Sequence, residues 1–431
     1  MRHAPAVLLC TAGLIGATLP AGTGTAPNTP TPPTSAAATP TATTTPAATA
    51  TATATAPTPA APRRPCVASP KPAAGDGLQV LAIAEQAKRE FGLNSVVLKV
   101  SSRGREVVTA ALGESMTGVP AEPSMHFRTG SVGIVYMGTI LLQLIEEGKA
   151  SLDDPVARWL PDAPHGSEIT LRMLGASTSG LHDYVTNPKF IAEYEAAPFR
   201  AWTPEEVIKI AATPPLLYEP GTNWSYSHAN FQLLGAALEK ISGMRLDRLI
   251  AQRISGPLGL TQTGNQYTPQ IPSPVLHAFT SERGTYEEST FWNPSWTTAP
   301  GAVLVQDICD LERSARAIGS GELLSPKYFR TQLDPGTVGL GKATPSCPAS
   351  VCLTNTQARH FGLGVIVVDG WILSNPSFSG YAAIQAYLPV RQLSLAVSVT
   401  QGPKSPQGNS AQVIAERIAA ALAPEQPFRM R

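Results

Sequence analysis

The apolar positions along this chain change period four times, and those changes outline its elements. Leu78, Leu81, Ile83, Ala84 and Ala87 recur at roughly helical spacing and predict a helix through Glu90, with Asp76 as its cap. The pattern then shifts to strand-like segments over Ser95 to Ser101 and Glu106 to Leu112, on either side of the turn Arg103-Gly104. An apolar run from Val135 to Glu147 predicts a helix that the core buries. Asp153-Asp154-Pro155 signals a helix start within Leu152 to Leu160. Further helices are expected from Thr203-Pro204-Glu205-Glu206, over Phe231 to Ile241 with its stop at Ser242-Gly243, and over Asp307 to Ile318. After that the period shortens again. His360 to Val368, Gly370 to Ser374, Tyr381 to Leu388 and Leu393 to Thr400 read as strands, and Ala411 to Leu422 as a closing helix. Strands at both ends with helices between predict an α+β fold. In it the N-terminal hairpin joins the C-terminal strands in one antiparallel sheet beside a mostly helical lobe. The cleft between the two is where a site would lie.

Composition changes this picture at one end only. The chain has 431 residues, ample for a buried core, and a net charge of +1, which argues against an electrostatic nucleic-acid footprint. Its 41 prolines are densest near the N-terminus, where Thr23 to Pro65 is nearly all Thr, Pro and Ala. Such a segment buries too little apolar surface to offset its ordering entropy, so residues 27–70 are expected to be a disordered, extended linker open to O-glycosylation. Arg63-Arg64 reads as a polar boundary. Ahead of the linker, Arg2 and His3, an uncharged run from Ala4 to Leu19 and small residues near Ala21 make residues 1–26 a secretory signal pattern. An uncleaved anchor is the alternative, although the run is marginally short for one. Bulky Leu9 argues against lipid attachment at Cys10. The folded domain is then expected over residues 71–425, exported or held at the cell envelope, with no transmembrane segment once the signal is removed.

Four cysteines remain beyond the signal, an even number that permits disulfides in an exported chain. Cys347 and Cys352 flank a short loop and are the expected pair. Cys66 with Cys309 would tie the start of the domain to its body, while a small buried thiol on a helix is the other reading of Cys309. Their spacing disfavours zinc, and no metal or other cofactor is expected.

The candidate chemistry centres on Phe127-Arg128-Thr129-Gly130-Ser131-Val132-Gly133-Ile134. A serine directly after glycine at the start of a buried helix suits a nucleophile, because free N–H groups there stabilise negative charge. A plain helix cap is the simpler reading of Ser131. A base would sit one turn later on the same face, at position 134, and the residue there is isoleucine.

Several phrases in order extend the pattern: Leu142 to Asp154, Thr178-Ser179-Gly180-Leu181, Pro220-Gly221-Thr222 with Tyr226-Ser227, and Pro257-Leu258-Gly259-Leu260. From Gly75 to Leu422 the chain resembles the serine β-lactamase superfamily, in the branch of class C β-lactamases, D-Ala-D-Ala carboxypeptidases and β-lactamase-like esterases. The resemblance implies a β-lactamase/transpeptidase-like fold and three motifs. In Ser-x-x-Lys, Ser131 matches as nucleophile and Ile134 replaces the lysine. In Tyr-x-Asn, Tyr226 matches as the proton-exchanging phenol and His228 stands in the asparagine position. His228 reads either as drift or as a proton acceptor for Ser131. The third motif, Lys/His-x-Gly, falls on Ser374-Asn375-Pro376, with Ser377 as the implied oxyanion donor. Neither Lys149, at the far end of the helix, nor Lys342, in a Gly/Thr-rich loop, replaces the missing base.

Three altered motifs lead to the expectation of an impaired or inactive cell-envelope protein. It would bind peptidoglycan fragments or small esters and amides in the former active-site cleft, through His228, Ser374, Asn375 and Ser377. The alternative is a serine hydrolase (esterase, amidase, weak β-lactamase or D-Ala carboxypeptidase) working through an acyl-enzyme on Ser131 with Tyr226. A domain serving only as structure on a stalk is the third.

Overall fold

The strand-like segments pair as expected in a computed structural model that describes residues 65–430. The proposed signal segment and most of the proposed linker lie outside the described residues. Nine strands form one sheet: β1 (Ser95–Ser102), β2 (Arg105–Met116), β3 (Val119–Pro120), β4 (Arg359–Phe361), β5 (Ile366–Val368), β6 (Trp371–Ser374), β7 (Ser377–Phe378), β8 (Tyr381–Leu388) and β9 (Leu393–Thr400). Their order is β3-β2-β1-β9-β8-β6-β5-β4, with β7 folded onto β8, and every pairing is antiparallel. The N-terminal hairpin joins the C-terminal strands through β1 and β9, where Val97 opposes Ser398 and Val100 opposes Leu395.

Alternation along these strands divides the interior in two. Val96, Leu98, Val100, Leu395 and Val397 face helices α1 (Gly75–Glu90) and α6 (Ser410–Leu422). Val97, Ala383 and Ala396 face the other way, into the larger core. That core contains α2 (Val132–Glu146), α3 (Leu171–Ala176), α4 (His228–Ser242) and α5 (Ile308–Gly319). The result is an antiparallel sheet with helices on both faces and the helical lobe on one, the α+β, β-lactamase/transpeptidase-like arrangement.

Three expectations shift on contact with the structure. Asp76 lies inside the first turn of α1 rather than capping it, so its carboxylate meets the positive end of the helix without a cap hydrogen bond. Leu152 to Leu160 forms no α-helix. Pro155 bridges Thr170 as extended backbone, which leaves only a 3₁₀ turn at Val156–Arg158. His360 to Val368 is two strands, because Gly362-Leu363-Gly364 turns the chain and brings Gly364 against the carbonyl of Ile134.

Both disulfide pairings form, Cys66–Cys309 and Cys347–Cys352. The first fastens the chain to the start of α5 well before the domain boundary read from sequence. The Ser69 N–H then donates to the Thr109 carbonyl of β2 at 2.8 Å. The two bonds span 243 and 5 residues. The entropy removed from the unfolded chain grows with the span. The paired Cys66→Ser, Cys309→Ser variant should therefore lose about 2 to 3 kcal/mol more than Cys347→Ser, Cys352→Ser in urea denaturation.

Candidate active site

Ser131 opens α2 at the end of a short strand, Phe127–Arg128, that pairs with Val305–Gln306. Gly130 makes the turn with φ +41°, and a Cβ on it would stand 3.0 Å from the Cβ of Pro376. The third-motif segment therefore lies directly against the residue before Ser131. Ser131 already has helical backbone angles and makes no side-chain cap bond, which removes the reading of it as a helix cap. Its side chain instead neighbours the phenol of Tyr226 and acts to lower that phenol's pKa.

Tyr226 is held by a zipper between residues 176–183 and 223–230. The Ser177 hydroxyl donates to the Ser225 carbonyl at 2.9 Å and accepts from the Ser227 N–H at 3.1 Å and Asn230 Nδ2 at 3.0 Å. The Trp224 indole donates to the Ala176 carbonyl, and the Ser227 hydroxyl to that of His182. Burial raises the Tyr226 pKa well above its ordinary value, the neighbouring Ser131 side chain offsets part of that, and the negative charge of Asp183 raises it further. The phenol is a neutral proton carrier at neutral pH.

The helix expected from Phe231 begins three residues earlier, with Ser227 as its cap, and this puts His228 in its first turn. There Nδ1 lies 3.0 and 3.1 Å from the two carboxylate oxygens of Asp183, and the His228 backbone N–H donates to the same carboxylate at 3.2 Å. An ionised carboxylate can only accept, so Nδ1 carries a proton, and in the neutral ring Nε2 is the nitrogen with the lone pair. The imidazole stands perpendicular to the Tyr226 ring, centroids 5.1 Å apart, with Tyr184 and Trp296 as its other aromatic neighbours. Asp183 escaped sequence reading. It lies two residues beyond the Thr178-Ser179-Gly180-Leu181 phrase, but its partner is 45 positions away and no spacing rule joins them.

The remaining expected residues separate. Ile134 is 2% exposed and belongs to the large core. Ser374 is buried on β6 opposite Gln385 of β8. Asn375, expected to contact substrate, turns to the opposite side, where its amide donates to Gln412 of α6 at 2.8 Å. Period-two alternation sends neighbours to opposite faces, so Ser374 and Asn375 could not both meet one ligand. Ser377 is exposed at the start of β7. Lys342 is exposed, its backbone clasped by Asn223, and Lys149 pairs with Glu147 beyond the end of α2. Arg128, the nearest cation in sequence, is committed elsewhere. Its guanidinium donates to the carbonyls of Pro269 and Thr290 and lies over the Phe378 ring, and burial lowers its pKa to about 10.

The family model for beta-lactamases matches residues 80–419. The chain belongs to the beta-lactamase family. This beta-lactamase-family chain is 27% identical over 261 residues to the putative penicillin-binding protein PbpX of Bacillus subtilis strain 168, covering 59% of the chain and 62% of that protein. It is 30% identical over 196 residues to the esterase EstB of Burkholderia gladioli, covering 42% of the chain and 50% of that protein. The matches thus span one half to somewhat under two thirds of these curated relatives. Among solved structures, the D-stereospecific amidohydrolase from a Streptomyces species superposes with a TM-score of 0.67 at 24% identity, over 81% of this chain and 99% of the other, and supports the fold. Among the described residues, no helix is long and apolar enough to cross a membrane, and no cluster of three or more His, Cys, Asp or Glu side chains could hold a metal.

The loop that carries Ser377 is itself anchored. The Ser379 hydroxyl donates to the Glu282 carboxylate at 2.8 Å and is hydrogen-bonded to Tyr194 at 2.7 Å. Burial raises the Glu282 carboxyl pKa; bonds from Ser379 and Thr280 lower it, and Glu195, which faces Arg283, raises it further. The folded carboxyl keeps its proton to higher pH than the unfolded one. Between the ordinary carboxylate range and the raised value, the native state therefore binds more protons, and stability falls as pH rises. Glu282→Gln should flatten that decline in a urea denaturation series run upward in pH from the ordinary carboxylate range, and should be the more stable protein at the upper end.

Proposed function

We propose that this chain is a slow serine hydrolase whose acyl-enzyme forms on Ser131 with Tyr226 as the proton-exchanging partner, acting on small esters or activated amides. The pairing of Ser131 with the neutral Tyr226 phenol carries the reading, because nucleophile and proton carrier stay together although isoleucine stands at position 134. Further support comes from the Ser131 N–H, which makes no backbone hydrogen bond among the described residues and can face a developing oxyanion. Ser377 is the candidate for the second donor. With no cation at position 134 to favour the serine alkoxide, the rate should fall about 10² to 10⁴ below that of a lysine-assisted site. The relatives point to ester, amide or cell-wall peptide substrates, since they include an esterase, an amidohydrolase and a putative penicillin-binding protein. Two disulfides support work in an oxidising compartment, consistent with export to the cell envelope.

A second reading is a protein that binds peptidoglycan fragments or similar ligands in the same cleft without turnover. It draws on the isoleucine buried where the base would act and on the proline against Gly130. Fluorescent penicillin and p-nitrophenyl acetate separate the two. The hydrolase reading expects slow, stoichiometric labelling of the wild type, its disappearance in Ser131→Ala, and ester turnover at least about tenfold lower in Tyr226→Phe. Equal background turnover in wild type and Ser131→Ala, with saturable ligand binding retained, would establish the binding reading instead.

A further inference from the structure

We infer that His228 is the base that releases the acyl group from Ser131, and that Asp183 is the positioning residue that keeps its Nε2 able to accept a proton. This inference rests on the acyl-enzyme reading above and adds the second half of the cycle, for which neither Ser131 nor Tyr226 supplies a base. Three observations converge. Both oxygens of Asp183 engage Nδ1, which fixes tautomer and ring orientation together. No hydrogen bond within the described protein uses Nε2. The ring also flanks the phenol beside Ser131, in a half-buried position where water can reach it.

A helix cap alone accounts for less of this. Asp183 Oδ1 does accept the His228 backbone N–H, but Ser227 already caps the helix through the Ala229 N–H. The two-oxygen contact to Nδ1 adds nothing to that capping. The groups facing the imidazole are Asp183, the Tyr226 and Tyr184 phenols and the Trp296 indole ring; the Tyr184 hydroxyl is occupied by the Trp296 carbonyl and Gln232.

In the step itself a water oxygen bonds to the acyl carbon while one water proton passes to Nε2. The C–Oγ bond then breaks, and Oγ takes the proton of the neighbouring phenol. The proton on Nε2 returns to the phenol oxygen, leaving a carboxylic acid, free Ser131 and neutral His228.

Burst kinetics with p-nitrophenyl acetate and intact-protein mass spectrometry test this on the full chain. In His228→Gln the burst of one equivalent should persist while decay of the acetyl adduct slows by about 10²-fold or more. Asp183→Asn should show the same split between burst and decay, Asp183→Glu should recover part of the loss, and added imidazole should speed adduct decay in His228→Ala. Thermal melts of each variant accompany the kinetics. An adduct that forms normally on the wild type and decays equally fast in His228→Gln overturns this inference alone. A wild type that never forms the adduct overturns the acyl-enzyme reading and this inference with it.

Discussion

The close packing of α2 is the constraint on which the site depends. Every residue from Val132 to Leu142 is buried, and its backbone lies so near its neighbours that Gly364 touches the Ile134 carbonyl. The N-terminus of this helix is fixed from the other side by Gly130 under Pro376. Ser131 therefore has one place to be, at the end of an apolar rod, with its hydroxyl turned to Tyr226. A lysine at position 134 would have to bring its charge into that interior and find partners there, whereas isoleucine fills the space with no such demand. Retaining the scaffold and losing the base are thus compatible, since the packing that holds Ser131 gains from an apolar residue one turn on.

The second part of the site is built by hydrogen bonds rather than by packing. Ser177, with its left-handed backbone, gathers Ser225, Ser227 and Asn230, so the Thr178-to-Leu181 and Tyr226-Ser227 phrases are two sides of one zipper. Asp183 ends that zipper at His228. The electrostatics around the nucleophile consequently differ from those of a lysine-assisted site. The charge bearing on the Tyr226 phenol is negative, and its proton is held more firmly for it.

Much of this was legible in the chain because it rests on local pattern. The β8 and β9 strands, the β1–β2 hairpin and the helix capped at Asp307 follow from apolar period and turn residues, and Cys347–Cys352 from cysteine spacing, whereas the sequence leaves Cys66–Cys309 open against a free thiol at Cys309. Ser131 and Tyr226 lie in short contiguous phrases, and the fold brings those phrases together. The misses have a common cause. Pro155 promised a helix that a distant bridge to Thr170 overrode, and Asn375 was assigned to a cleft that strand alternation turns it away from. Asp183 was silent because a carboxylate three residues after a glycine turn carries no signal until the fold brings a histidine to it.

The replaced asparagine is the more informative substitution for the same reason. Drift at a released position would leave a histidine with arbitrary contacts, and a half-buried imidazole without partners is costly to order. Here both carboxylate oxygens of a half-buried aspartate meet Nδ1, and the same carboxylate accepts the backbone N–H at the start of α4. Two partly buried groups at the positive end of a helix must each be satisfied by the other, and removing either would leave its partner with a desolvated polar atom. The pair therefore persists as a unit, with the imidazole held edge-on against the Tyr226 ring and its second nitrogen unspent among the described residues.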